Sequence, residues 1–151
     1  MMKKRLTSLA LSAMMVLSMV PATAFAAKDA GTPPTYNSAT GCYEISTPAQ
    51  LLYLAGKWKD GAPRDGHYVL TADIDMTGVK PIASKKAEGF TGTFDGQFHS
   101  IKGLRIEYEK KYAGLFGYVG NQDDQAYIKN VALLDCYVTG QQNVGALAGV
   151  N

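Results

Sequence analysis

Cysteine and histidine are scarce in this sequence, with two of each in 151 residues, and each scarcity excludes a class of function. Cys42 and Cys136 lie 94 positions apart, which makes neither a disulfide framework nor a metal-ligand spacing. Whether they pair stays open: export permits a bond, whereas a free cysteine commonly packs as a small buried hydrophobe. His67 and His99 have no His-Glu-x-x-His context and no further ligands at zinc spacing. No Ser/His/Asp or Cys/His arrangement can be assembled from the chain, so no catalytic residue, metal or cofactor is expected. Charge is also thin, at 19% of residues. The small basic excess, 15 Lys plus Arg against 13 Asp plus Glu, sits in the first 26 residues; without them 12 basic residues face 13 acidic ones. No basic stripe survives, so nucleic acid is excluded as a partner. The longest apolar run, Leu6 to Val20, has 15 residues, short of the roughly 20 that span a bilayer.

That run has another reading. Lys3, Lys4 and Arg5 precede it and "ATAFA" follows, which is the layout of a secretory signal peptide over residues 1–26, cleaved after Ala26. The remaining 125 residues are enough for one domain and are expected to be secreted or displayed at the cell surface. Residues 27–42, rich in Pro, Gly and small side chains, read as a flexible lead-in. Thr47, Pro48 and Gln50 then form an N-cap, a first-turn proline and a capping-box partner. With Leu51, Leu54, Ala55 and Trp58 at helical spacing, they predict one helix over residues 48–58, stopped by Gly61. Beyond it the period changes to two. Leu70, Ala72, Ile74 and Met76 alternate with Thr71, Asp73, Asp75 and Thr77, as in a strand with one buried face. Short strands broken at Gly92, Gly96 and Gly103 follow.

Internal repetition is the stronger signal. "IKGLRIEY" from Ile101 aligns with "IKNVALLD" from Ile128 at an interval of 27, which places Gly103 opposite Asn130, the two residue types that most readily turn left-handed. "YAGLFGYV" from Tyr112 aligns with "VGALAGVN" from Val144 at an interval of 32, matching Leu115 to Leu147 and Gly117 to Gly149. Gly114, with Gly145, belongs to the same motifs. The glycine spacing fits neither a dinucleotide loop, whose first interval differs, nor a membrane-helix motif, which needs a longer apolar surround. Short strands and glycine corners at a period of 25–30 residues predict an all-β solenoid of a few stacked coils spanning residues 43–151, with the short helix as its N-terminal cap. The sequence stops at Asn151 directly after a repeat motif. A truncated array is expected, whose open end offers a surface for self-association.

"GTFDGQFHSIKGLRI", "YAGLFGYVG" and "VGALAGVN" resemble the GLUG-motif repeats of bacterial surface proteins, and "ISTPAQLLYLAG" with "HYVLTADIDMTG" resembles the segment that precedes such repeats. The resemblance covers residues 43–151 and implies a right-handed β-helix-like fold outside the cell. Gln97 and Phe98 depart from it, standing where a smaller residue and a glycine are usual. The resemblance implies a non-catalytic repeat module, a structural or adhesion scaffold whose partners are host or cell-wall proteins or glycans. The alternatives are a carbohydrate-active β-helix enzyme, a polysaccharide lyase or hydrolase using Asp73, Asp75 and Asp95, or a non-catalytic segment of a larger secreted protease. Asp73 and Asp75 at i and i+2 share a strand face and, with Asp95, are the candidates for calcium or a glycan. The reading that Thr71 and Thr77 favour is a wet strand face. Tyr108, Tyr112, Tyr118, Tyr127 and Tyr137 suit either strand packing or stacking on sugar rings.

Overall fold

The computed structural model describes residues 31–56, 63–78, 89–120 and 125–151. The expected leader at 1–26, Trp58, Gly61 and most of the "NQDDQA" loop lie outside these residues. Inside residues 27–42, the expected lead-in, the chain forms strand β1 (Thr35–Asn37), then turns back into β2 (Cys42–Ile45). The turn is local chemistry. Asn37 Oδ1 accepts from Ala39 N at 2.9 Å, and Gly41, at φ 71°, donates to Asn37 O. A reversal this short can only pair its strands antiparallel, as β1 and β2 do.

Helix α1 (Pro48–Gly56) follows. Thr47 Oγ1 accepts from Gln50 N at 3.3 Å, and the Gln50 side chain reaches back to accept from Ser46 N at 2.8 Å, so both ends of the cap occupy backbone donors. Leu51 and Leu54 are buried by the helix.

The remaining strands are β3 (His67–Leu70), β4 (Ile74–Asp75), β5 (Thr93–Asp95), β6 (Ser100–Lys102), β7 (Arg105–Ala113), β8 (Tyr127–Lys129), β9 (Ala132–Leu134) and β10 (Tyr137–Val144). They form a five-stranded sheet in the order β1-β2-β3-β5-β8, a three-stranded sheet β4-β6-β9 and a two-stranded sheet β10-β7. This overturns the right-handed parallel β-helix, or solenoid, expected from the repeats together with the family resemblance. Among the described residues the architecture is three small sheets of unequal size, with antiparallel β1–β2 pairing beside parallel pairing elsewhere, and one short helix. The physical reason lies in the connections. The β1–β2 turn is too short for a crossover. Paired positions lie 25 residues apart from β2 to β3, 26 from β3 to β5 and 34 from β5 to β8, so the spacing along the first sheet is not uniform.

The predicted alternating strand around Leu70 is also two elements. Leu70, Ile74 and Met76 are all buried, but the chain leaves the first sheet after Leu70 and joins the second at Ile74. Alternation persists through the bend because the same interior lies on that side of both strands.

Inward columns cross the sheets. Tyr43, Tyr68, Phe94 and Ile128 are paired in sequence across the first sheet, and Ile74, Ile101 and Leu133 across the second. Burial is complete at Tyr68, Phe94 and Ile101 and falls to partial at Ile128 and Leu133, because β8 and β9 are edge strands. Burial also pushes the Tyr68 phenol above its ordinary pKa, with Tyr43 adding to the shift.

The observed registers revise the repeat alignment. Ile101 pairs with Leu133, not Ile128, and Ile128 pairs with Phe94. The interval is therefore 32 residues, the same as the pairing of Tyr118 with Val150 in the glycine motifs. Gly103, at φ 68°, then stands opposite Asp135, at φ 51°, and Asn130 belongs to a different corner.

Candidate functional site

The polar side chains that stood out in the sequence gather at the strand ends. Asp73 immediately precedes β4, and its Oδ1 accepts from Ser100 N at 2.7 Å and from Ser100 Oγ at 3.1 Å. His99 Nδ1 lies 3.5 Å from the same oxygen. Asp75 turns instead to its own chain, accepting from Thr77 N at 2.9 Å. Asp95 closes the next corner, where Oδ1 accepts from Gln97 N at 2.9 Å and from Asn130 Nδ2 at 3.0 Å, while Oδ2 lies 3.3 Å from Lys129 Nζ. Asp73 and Asp95 thus tie one strand segment to the next, and Asp75 shapes a turn. Among the described residues no three His, Cys, Asp or Glu side chains are grouped so as to hold a metal ion.

Hydrogen bonds to the ionised form hold all three carboxyls below the ordinary carboxylate range. The main cause is Ser100 N for Asp73, the Thr77 hydroxyl for Asp75 and Gln97 N for Asp95. A general acid needs the opposite shift, toward neutral pH. The depression also has a consequence for stability. The folded-state values lie below the unfolded ones, so the stabilisation is complete above about pH 4 and is lost as pH falls through the folded values. Thermal midpoints are expected to be flat from about pH 7 to 5 and to drop below about pH 4. Asp95→Asn should flatten part of that drop. Parallel profiles for the variant and the parent would show that Asp95 contributes none of it.

The corner glycines divide by role. Gly103 and Gly117 take positive φ, as does Asn130. Gly114, Gly145 and Gly149 are close-approach sites, where an added Cβ would lie 2.7 Å from Gly149 N, 2.2 Å from Ala148 O and 2.6 Å from Asn143 O respectively. Between them Leu115 and Phe116 are buried. Cys42 and Cys136 are both free thiols, and burial raises the pKa of Cys136.

Of the tyrosines, Tyr127 and Tyr137 are exposed, while Tyr108, Tyr112 and Tyr118 are half-buried. The Arg105 guanidinium lies 4.9 Å over the Tyr137 ring, and Tyr112 meets Tyr118 edge-on at 6.0 Å. An aromatic row that the sequence reading did not single out runs from exposed Tyr36 through Tyr43 to buried Tyr68, with centroids 4.9 and 5.1 Å apart.

Phe98 was also passed over as a site. It is 87% exposed at φ 64°, and Gln97 beside it has φ 46°. Phe98 N donates to Asn130 O at 2.8 Å and His99 N to Gly96 O at 2.7 Å, closing a turn whose two central residues are both left-handed. Such turns favour Asn and Gly; a bulky side chain there costs about 1–2 kcal/mol. The signal was in the sequence, as the departure of Gln97-Phe98 from the usual smaller residue and glycine. Phe98→Gly is expected to raise the unfolding free energy by about 0.5–1 kcal/mol, since relief of strain outweighs the added chain entropy of glycine. Urea denaturation measures this, and an unchanged or lower midpoint would contradict it.

An open hollow of about 490 Å3 lies beside β8, lined mainly by Val119, Ala126, Tyr127, Ile128, Leu147 and Ala148. None of the three aspartates borders it. The molecule is therefore a small β-rich domain whose polar groups are engaged at corners and whose outer faces carry separate aromatic rings.

No family profile matches the chain, and no solved structure matches it. Halomucin of Haloquadratum walsbyi (strain DSM 16790 / HBSQ001) is similar, with 34% identity over 122 residues. The match covers 72% of this chain and about 1% of that protein's length. It is in line with a secreted or cell-surface protein. Among the described residues no helix is long and apolar enough to cross a membrane.

Proposed function

We propose that this chain is a non-catalytic extracellular module, akin to the GLUG-motif repeats, that serves as a structural or adhesion scaffold for proteins or glycans. The observation that carries the reading is the engagement of Asp73, Asp75 and Asp95. Each is bonded to a backbone amide at a corner and held ionised, and none borders the hollow beside β8. Residues committed in this way shape the fold and leave a reaction without its acid. The signal-peptide layout of residues 1–26 in the sequence and the likeness to halomucin support an extracellular setting.

The test is turnover. The purified full chain is incubated with a panel of neutral and acidic polysaccharides, and reducing ends and unsaturated products are followed. No release is expected from any of them. Release that disappears in Asp73→Asn or Asp95→Asn, with the fold retained by circular dichroism, would overturn the reading.

A further inference from the structure

Phe98 combines two unfavourable features. Its ring is almost fully in water, and its backbone is in a conformation that side chains of its size avoid. Either feature alone would be removed by the Asn or Gly that such turns favour. A residue kept under both handicaps, in a fold held together elsewhere, points to use of the ring itself.

The surroundings say what the ring meets. Phe94 and Ile128 point inward, so alternation puts Thr93, Asp95, Tyr127 and Lys129 on the outer face of β5 and β8. Thr93 lies opposite Tyr127 and Asp95 opposite Lys129. The Phe98 turn follows directly on β5 and is bonded to the Asn130 corner that follows β8. At about 3.3 Å per strand residue, the Thr93–Tyr127 row lies roughly 10 Å from the turn, the span of about two linked sugar rings. The outer face of β5 and β8 that leads to the turn carries Thr93, Asp95 and Lys129, a polar row rather than the apolar patch that anchors a protein partner. Phe98 stands among a carboxylate, an ammonium, amides and a hydroxyl, with the 59% exposed ring of Tyr127 at the other end.

We infer that Phe98 and Tyr127, with Thr93, Asp95 and Lys129 between them, form a binding strip for a neutral glycan. A pyranose has a C–H face that suits the negative face of an aromatic ring and a rim of hydroxyls that both donate and accept. Lys129 supplies N–H donors, and the Thr93 hydroxyl can donate or accept. Asp95 already neutralises Lys129 at 3.3 Å, and Asp73 is joined to the segment after the turn through Ser100 and His99. Among the described residues of the strip, then, the carboxylates match the cationic groups, which gives an anionic polymer little to bind. The inference rests on the glycan branch of the proposed function and deepens it.

The test is native affinity electrophoresis of the full chain in gels containing mannan, xylan or a soluble β-glucan, with polygalacturonate as the acidic comparison. At least one neutral polymer should retard the parent chain, and polygalacturonate should not. Phe98→Asn keeps a residue type that accepts the left-handed turn and removes the ring; retardation should weaken at least tenfold with an unchanged circular dichroism spectrum. Tyr127→Ala should weaken it as well. Retardation by no neutral polymer, or equal retardation of the parent and Phe98→Asn, overturns the strip and leaves the non-catalytic reading standing, since that reading is tested by turnover. Concentration-dependent self-association lost in Phe98→Asn, without polysaccharide binding, would also overturn it in favour of a second copy of the chain.

Discussion

Phe94→Ala is expected to lower the unfolding free energy by about 3–5 kcal/mol, the range for removing a buried phenyl ring without collapse of the site. Phe94 has no exposed surface and sits at the middle of its strand, flanked by Tyr68 on β3 and Ile128 on β8. Its ring meets Phe116 edge-on at 5.2 Å; Phe116 continues to Phe90 at 4.9 Å, and Phe90 to Tyr68 at 6.0 Å. The cavity would therefore open where the first sheet meets the glycine corner of residues 114–117, and backbones held on both sides limit how far it can close. Against a total stability of about 5–15 kcal/mol this is a large fraction, visible as a drop in melting temperature of more than about 10 °C. Ile128→Ala gives the comparison. It lies in the same column, but on an edge strand and only partly buried, so about 1–2 kcal/mol is expected. Equal losses from the two variants in urea denaturation would show that the column is not graded in burial as described.

Gly92→Ala is the second large effect, and it arises from space alone. A Cβ at Gly92 would lie 2.1 Å from Gly66 O and 2.9 Å from Asp65 C, both backbone atoms. Those atoms belong to the segment entering β3, and Gly66 O accepts the bond from Thr93 N that starts the β3–β5 pairing. Neither chain can move aside without breaking the register, so a loss of about 3 kcal/mol or more is expected. Gly41→Ala isolates the other kind of constraint. Gly41 has φ 71° and nothing within 4 Å of the added Cβ. Only backbone strain remains there, about 1–2 kcal/mol. Thermal melts of the two variants should rank Gly92→Ala well below Gly41→Ala; the reverse order would contradict the close approach at Gly92.

What could be read from the sequence divides along a physical line. The capping group at Thr47, Pro48 and Gln50 was legible because its donors and acceptors lie within one turn of chain. The alternation through Leu70, Ile74 and Met76 was legible because burial on one side leaves a period of two even where the strand is interrupted. The glycine motif at residues 112–121 read as corners, and Leu115 and Phe116 are indeed buried between them. The repeat register was misplaced because "IKG" and "IKN" match as letters, whereas the pairing partners "SIK" and "ALL", or "TFD" and "YIK", share little beyond one apolar residue. A strand of three residues carries only one inward side chain or two, too little to fix an alignment.

By itself, then, the sequence determined the local features: the helix cap, the apolar alternation and the positions of the corners. Each depends on neighbours within a few residues. Only the tertiary structure decided that the strands divide among three sheets, that β1 turns back antiparallel, and that Asp73 and Asp95 are engaged by Ser100 and Asn130, 27 and 35 residues away. It also decided that Phe98 stands exposed on a strained turn beside the face that bears Tyr127. The reason is that a carboxylate's role depends on which donors reach it, and a ring's on what covers it. Both are set by the register of strands too short for their own sequence to specify.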